Sequence, residues 1–77
     1  MKPESWTEIE AGELIVDSEL GNTRILVLEN RLSGLVILGS CGIGLMPWNF
    51  AQMGIDNGDF SFPNRMIPQL IFSKEPK

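Results

Sequence analysis

The sequence predicts a mainly β domain: a small antiparallel β-meander, roll or barrel of about five strands with one short helix. Three observations carry that expectation. Two β-rich runs, residues 13–20 and 23–30, flank the turn dipeptide Gly21-Asn22. A third apolar run, Leu35 to Leu38, follows the turn-like Arg31-Leu32-Ser33-Gly34. Only residues 47–53 carry helix punctuation, with proline at the start and Gly54 just past the end. A chain of 77 residues has room for one domain, 1–77. Its ends, residues 1–5 and 74–77, are expected to fray.

Taken in order, residues 6–11 read as a further edge strand or as an acidic arm. In the next segment, Gly21-Asn22 fits a two-residue type II′ hairpin turn. That turn sets Glu19 opposite Arg24, Asp17 opposite Leu26, Val16 opposite Val27 and Leu14 opposite Glu29. One face then carries Leu14, Val16, Ile25 and Val27. The other carries Ile15, Leu26 and Leu28. An opposite-charge pair across the strands favours this register by a few tenths of a kcal/mol, roughly. Thr23 to Glu29 is apolar on both faces, as expected of a central strand covered on both sides.

The stretch from Gly34 to Trp48 is rich in glycine and carries no charge. Its strongly apolar part ends at Pro47, short of the roughly 20 residues a helical span needs. Its glycines run Gly39-x-x-Gly42-x-Gly44, which is not a dinucleotide or phosphate-loop pattern, and no Lys-Ser or Lys-Thr follows. The expected structure is a buried strand, then a sharp turn over Gly39 to Gly44, with Ile43, Leu45 and Met46 returning the chain to the core. Cys41 has no histidine to activate it, since the chain contains none. It reads as a small buried hydrophobe. Further on, Asp56-Asn57-Gly58-Asp59 is a turn signal. It lacks the carboxylates of a calcium loop: Met53 and Ile55 stand where the first acids belong, and Asn64 where the last one would. Phe60 to Phe62 and Ile67 to Ser73 read as short strands, with Pro63 and Pro68 confining their surroundings to edges or irregular backbone.

Composition narrows the function. One cysteine permits no internal disulfide, and without histidine a Cys/His zinc site is out of reach. No cofactor, metal ligand set or catalytic residue is singled out, so an enzyme is the less favoured reading. A net charge of −4 argues against nucleic-acid binding. A single thiol and a polar, acidic N-terminus point to the cytoplasm. The chain is 43% hydrophobic, with eight glycines, which is rich for a domain whose surface is large for its volume. With no disulfide or metal to staple it, association with further copies is the remaining source of stability.

The expected function is therefore a non-enzymatic binding or scaffolding module acting as a homo-oligomer. Trp6, Trp48 and Phe50 are candidate interface residues. An alternative starts from the charge: six of the ten acids lie in the first 19 residues, against Lys2 alone. Glu8, Glu10 and Glu13 would then dock on a basic partner surface, as in an inhibitor or decoy protein. A minor membrane-associated subunit and a small enzyme using Cys41 or a carboxylate are weaker alternatives.

Overall fold

A computed structural model describes residues 3–65. Five strands form one antiparallel sheet: β1 (Leu14–Asp17), β2 (Thr23–Arg31), β3 (Gly34–Gly39), β4 (Gly42–Pro47) and β5 (Phe60–Ser61). The helix α1 (Trp48–Asp56) joins β4 to β5, and short 3-10 turns occupy Trp6–Glu8 and Ser18–Leu20. Residues 63–65 are helical rather than the edge or irregular backbone expected around Pro63. The spatial order is β4-β3-β2-β1-β5. The first four strands are a meander, and β5 adds beside β1. The sheet is open and does not close into a barrel. The expected strand over Ile67 to Ser73 and the expected frayed end at residues 74–77 lie outside the described residues. At the other end, Pro3 is among the fully buried side chains.

The β1–β2 register differs from expectation by three residues. Leu14 pairs with Leu26, Ile15 with Ile25, Val16 with Arg24 and Asp17 with Thr23. The reason lies in Asp17. Its carboxylate accepts from the Glu19 N–H at 3.0 Å and caps the 3-10 turn Ser18–Leu20. The strand therefore ends before Glu19. Gly21 and Asn22, both with positive φ (69° and 64°), complete a five-residue connection. An odd register shift exchanges the two faces of β1. Ile15 points into the core beside Ile25, while Leu14 and Val16 point away from it.

The core lies on one face of the sheet only. Ile9, Ile15, Ile25, Val27 and Leu35 are buried with Ala51 and Ile55 of α1 and with Phe60 and Phe62. Ile37, Met46 and Trp6 pack against this cluster. The expectation that β2 is covered on both faces is thus corrected: α1 covers one face, and no described residue covers the other. The core is fastened at several points. Asn30 Nδ2 donates to the Ile9 carbonyl at 2.7 Å and holds residues 6–9, a 3-10 turn rather than an edge strand, against β2. Gln52 Oε1 accepts from the Trp6 N–H at 2.9 Å, tying that turn to α1.

The glycine-rich run is mostly strand. β3 continues through Gly39, Ser40-Cys41 make the turn, and β4 begins at Gly42. α1 starts at Trp48 and runs past Gly54, which was expected to end it. Gly54 is a packing position instead: the Phe60 ring lies against it. The helix gives way to the turn at Asn57 and Gly58, where Gly58 takes φ 78°.

Candidate functional site

Three surface features stand out, and each follows from the sheet register. The first is the uncovered sheet face. Paired residues share a face, and successive residues alternate. Leu14 and Val16 of β1, Leu26 of β2, Val36 and Leu38 of β3 and Ile43 and Leu45 of β4 therefore lie together, opposite α1. Leu28 joins them at a bulge, where the β2–β3 register shifts between Val27 and Glu29. Charge is confined to the margins of β2. Arg24 stands at one end, and Glu29 with Arg31, ion-paired at 3.0 Å, at the other. Leu28 and Leu38 are exposed on this face, and Ile43 and Leu45 retain 71% and 51% of their accessible surface. Ile43 and Leu45 were expected in the core; only Met46 of that trio packs there. A two-period strand cannot send neighbouring residues to one side, and Gly42 and Gly44 occupy the helix-side positions of β4.

The second feature is an apolar hollow of about 390 Å³ between α1 and the end of β1. Leu20, Met46, Phe50, Met53 and Phe60 wall it, and Gly54 contributes the backbone between them. Asp17, Glu19 and Asp59 stand at its margin. Phe50, expected as an interface residue, is 59% exposed beside this hollow, and Trp48 is 52% exposed at the start of α1. Trp6 goes elsewhere: it is half-buried, packed on the core, with its backbone bonded to Gln52 and Asn30. The hollow has no sequence motif. Its walls come from segments that meet only when β5 returns beside β1.

The third is the acidic segment. Glu8, Glu10 and Glu13 do not alternate along an extended strand; they lie on the 3-10 turn and on the loop that leads into β1. They gather around Arg65. Its guanidinium forms a two-pronged ion pair with Glu13, through Nε to Oε2 and Nη2 to Oε1, and Nη2 also reaches the Glu8 carbonyl at 2.9 Å. The hydrogen bond to Glu13 raises the Arg65 pKa; burial opposes the rise, and the charges of Glu13, Glu8 and Glu10 add to it. Glu13 is thus part of the fold, while Glu8 and Glu10 remain exposed.

Cys41 is exposed at the β3–β4 turn rather than buried. Among the described residues no three Cys, Asp or Glu side chains gather as a metal-binding group. No helix among them is long and apolar enough to cross a membrane. Comparison with protein-family models, with curated proteins and with solved structures finds no match.

Proposed function

We propose that this chain is a non-enzymatic binding or scaffolding module that acts as a homo-oligomer, with a second copy covering the open sheet face. The observation that supports the reading is that face itself. Among the described residues the sheet buries one side on its helix, and the other side is a layer of leucine, isoleucine and valine. Burying one such side chain stabilises by about 1.5–3 kcal/mol, so a face of this size is costly to leave in water. Sheets stack face to face at about 10 Å with their strands nearly aligned. A copy turned through a half-circle also brings the Arg24 end of one β2 over the Glu29 end of the other. The single exposed thiol of Cys41 suits a reducing compartment such as the cytoplasm.

Sedimentation equilibrium of the full chain tests the reading. The expected result is a species heavier than the 8.6 kDa chain at micromolar concentration, reduced in mass by Leu38→Lys. A chain that stays at 8.6 kDa throughout overturns it.

The docking of N-terminal acids on a basic partner is the second reading. It is favoured by the exposure of Glu8 and Glu10, and narrowed by the engagement of Glu13 with Arg65. Its test is Glu8→Gln with Glu10→Gln, leaving Glu13 in place. Loss of salt-sensitive binding to a polycationic surface supports it, and unchanged binding removes it.

A further inference from the structure

Among the described residues β4 is an edge strand with no neighbour beyond it, and one hydrogen bond shows which of its backbone groups face outward. The Trp48 N–H donates to the Ser33 carbonyl across the β3–β4 ladder at 3.0 Å. In an antiparallel strand these groups alternate between the neighbouring strand and the outside. Trp48, Met46, Gly44 and Gly42 therefore direct their N–H and C=O toward β3. Ile43 and Leu45 direct theirs away from the sheet. Pro47 agrees with this assignment: it falls in the outward set, where its missing N–H removes no ladder bond.

Apart from Pro47 at its end, the described residues show few of the usual devices that protect such an edge. No charged residue occurs anywhere from Leu32 to Ile55. β4 carries no bulge against β3, its register running without a break from Gly34–Pro47 to Gly39–Gly42. No described strand lies beyond it. The helix side of the strand is open as well, since a Cβ built at Gly42 or Gly44 meets nothing within 4 Å. At the other edge β5 is two residues long and offers little to pair with.

We propose that a second copy of this chain pairs with this edge. The two β4 strands run antiparallel about a two-fold axis that passes between the two Gly44 residues, joining two five-stranded sheets into one of ten. The inference rests on the homo-oligomer reading and specifies one of its interfaces. The sequence is self-complementary in that register. Ile43 of one copy exchanges both backbone bonds with Leu45 of the other, and the symmetric pair does the same. All the outward donors of Ile43 and Leu45 are then used. Gly44 faces Gly44 of the second copy, with no side chain to separate the strands. Ile43 and Leu45 meet on the open face, apolar against apolar, and the two open faces become continuous. Pairing β4 with β4 closes the assembly, whereas pairing β4 with β5 would propagate into a filament.

Amide exchange on the full chain, read residue by residue by NMR, tests this. In the assembled protein the Ile43 and Leu45 amides should exchange at least ~100-fold more slowly than free-peptide amides, and should remain protected in Leu38→Lys. Ile43→Pro removes one outward donor from each copy without touching the β3 ladder. It should weaken self-association by on the order of 100-fold while the circular dichroism spectrum stays folded. Should Ile43→Pro fail to fold, exchange in the unaltered chain decides. An oligomer whose Ile43 and Leu45 amides exchange at free-peptide rates overturns the edge pairing and leaves the homo-oligomer reading standing. A chain that sediments only as a monomer overturns both.

Discussion

The ring of Phe60 lies directly on Gly54: a Cβ at residue 54 would fall within 2.6 Å of the Phe60 Cε1. This contact joins α1 to β5 and closes the last turn of the core. Alanine favours a helix interior over glycine by about 1 kcal/mol. Overpacking costs about 1–3 kcal/mol, and here the obstacle is a buried ring rather than a flexible chain end. Gly54→Ala is expected to lower the urea midpoint. Phe60→Leu in the same protein should recover part of the loss, giving a coupling of about 0.5–3 kcal/mol in a double-mutant cycle. A Gly54→Ala protein more resistant to urea than the parent would refute the contact.

Gly34 and Gly39 bound the same strand and should respond in opposite ways. At Gly34 φ is 148°, and a Cβ would run into the Met46 carbonyl and lie 2.9 Å from the Trp48 nitrogen. Both obstacles are backbone, so relief requires opening the β3–β4 ladder. Gly34→Ala is expected to cost upward of ~3 kcal/mol, beyond the ordinary range for one substitution. At Gly39, the last residue of β3, a Cβ meets nothing, and extended backbone favours a side chain over glycine. Gly39→Ala should be neutral or stabilising by a few tenths of a kcal/mol, on the order of a weak strand propensity. Thermal melts of the two variants, side by side, read the difference.

The contrast between these glycines also shows what the sequence reveals and what it conceals. Strand identity is legible, because Val, Ile and Leu in short runs between turn residues have few other solutions. The order of strands within the meander follows from short connections. Register is harder, since Asp17 can continue a strand or cap a turn, and here its carboxylate takes the Glu19 N–H. Gly54 reads as a helix stop, because a glycine after an apolar stretch usually is one; only the position of Phe60 shows otherwise. The open face escapes notice for a different reason. Leu26, Leu28 and Leu38 have the composition of a core, and nothing local tells a covered leucine from an uncovered one. The pairing of Glu13 with Arg65 spans 52 residues of chain, beyond any local pattern.

Cys41 offers a test of the β3–β4 turn. Its thiol is exposed at a turn, with no histidine in the chain to activate it. A bulky aromatic disulfide reagent is therefore expected to modify it in the native protein about as fast as in urea, within a factor of about 3. Strong protection in the native protein would mean that the turn is covered. Modification should also leave the urea midpoint unchanged, since no core group moves with it.

The Glu13–Arg65 pair holds the loop before β1 to the residues that follow β5, and its two halves are unequal. The Glu13 side chain retains 9% of its accessible surface and that of Arg65 27%. Removing the cation strands a nearly buried carboxylate, whereas removing the carboxylate leaves a guanidinium that can turn to water. Arg65→Met is therefore expected to destabilise more than Glu13→Gln. With Arg65 partly in water, the loss is about 1–3 kcal/mol rather than the 3–5 of a fully buried pair. Glu13→Gln with Arg65→Met should be less damaging than Arg65→Met alone, because no uncompensated charge remains. The pH dependence has a definite sign. The folded-state pKa of Arg65 is raised, so the stabilisation from its charge is complete below the unfolded value and is lost only as pH rises through the raised one. That window lies at strongly alkaline pH. Urea titrations across the neutral and mildly alkaline range should therefore show the same difference between the parent and Arg65→Met at every pH. A difference that shrinks across that range would mean that Arg65 does not hold Glu13 as a charged partner.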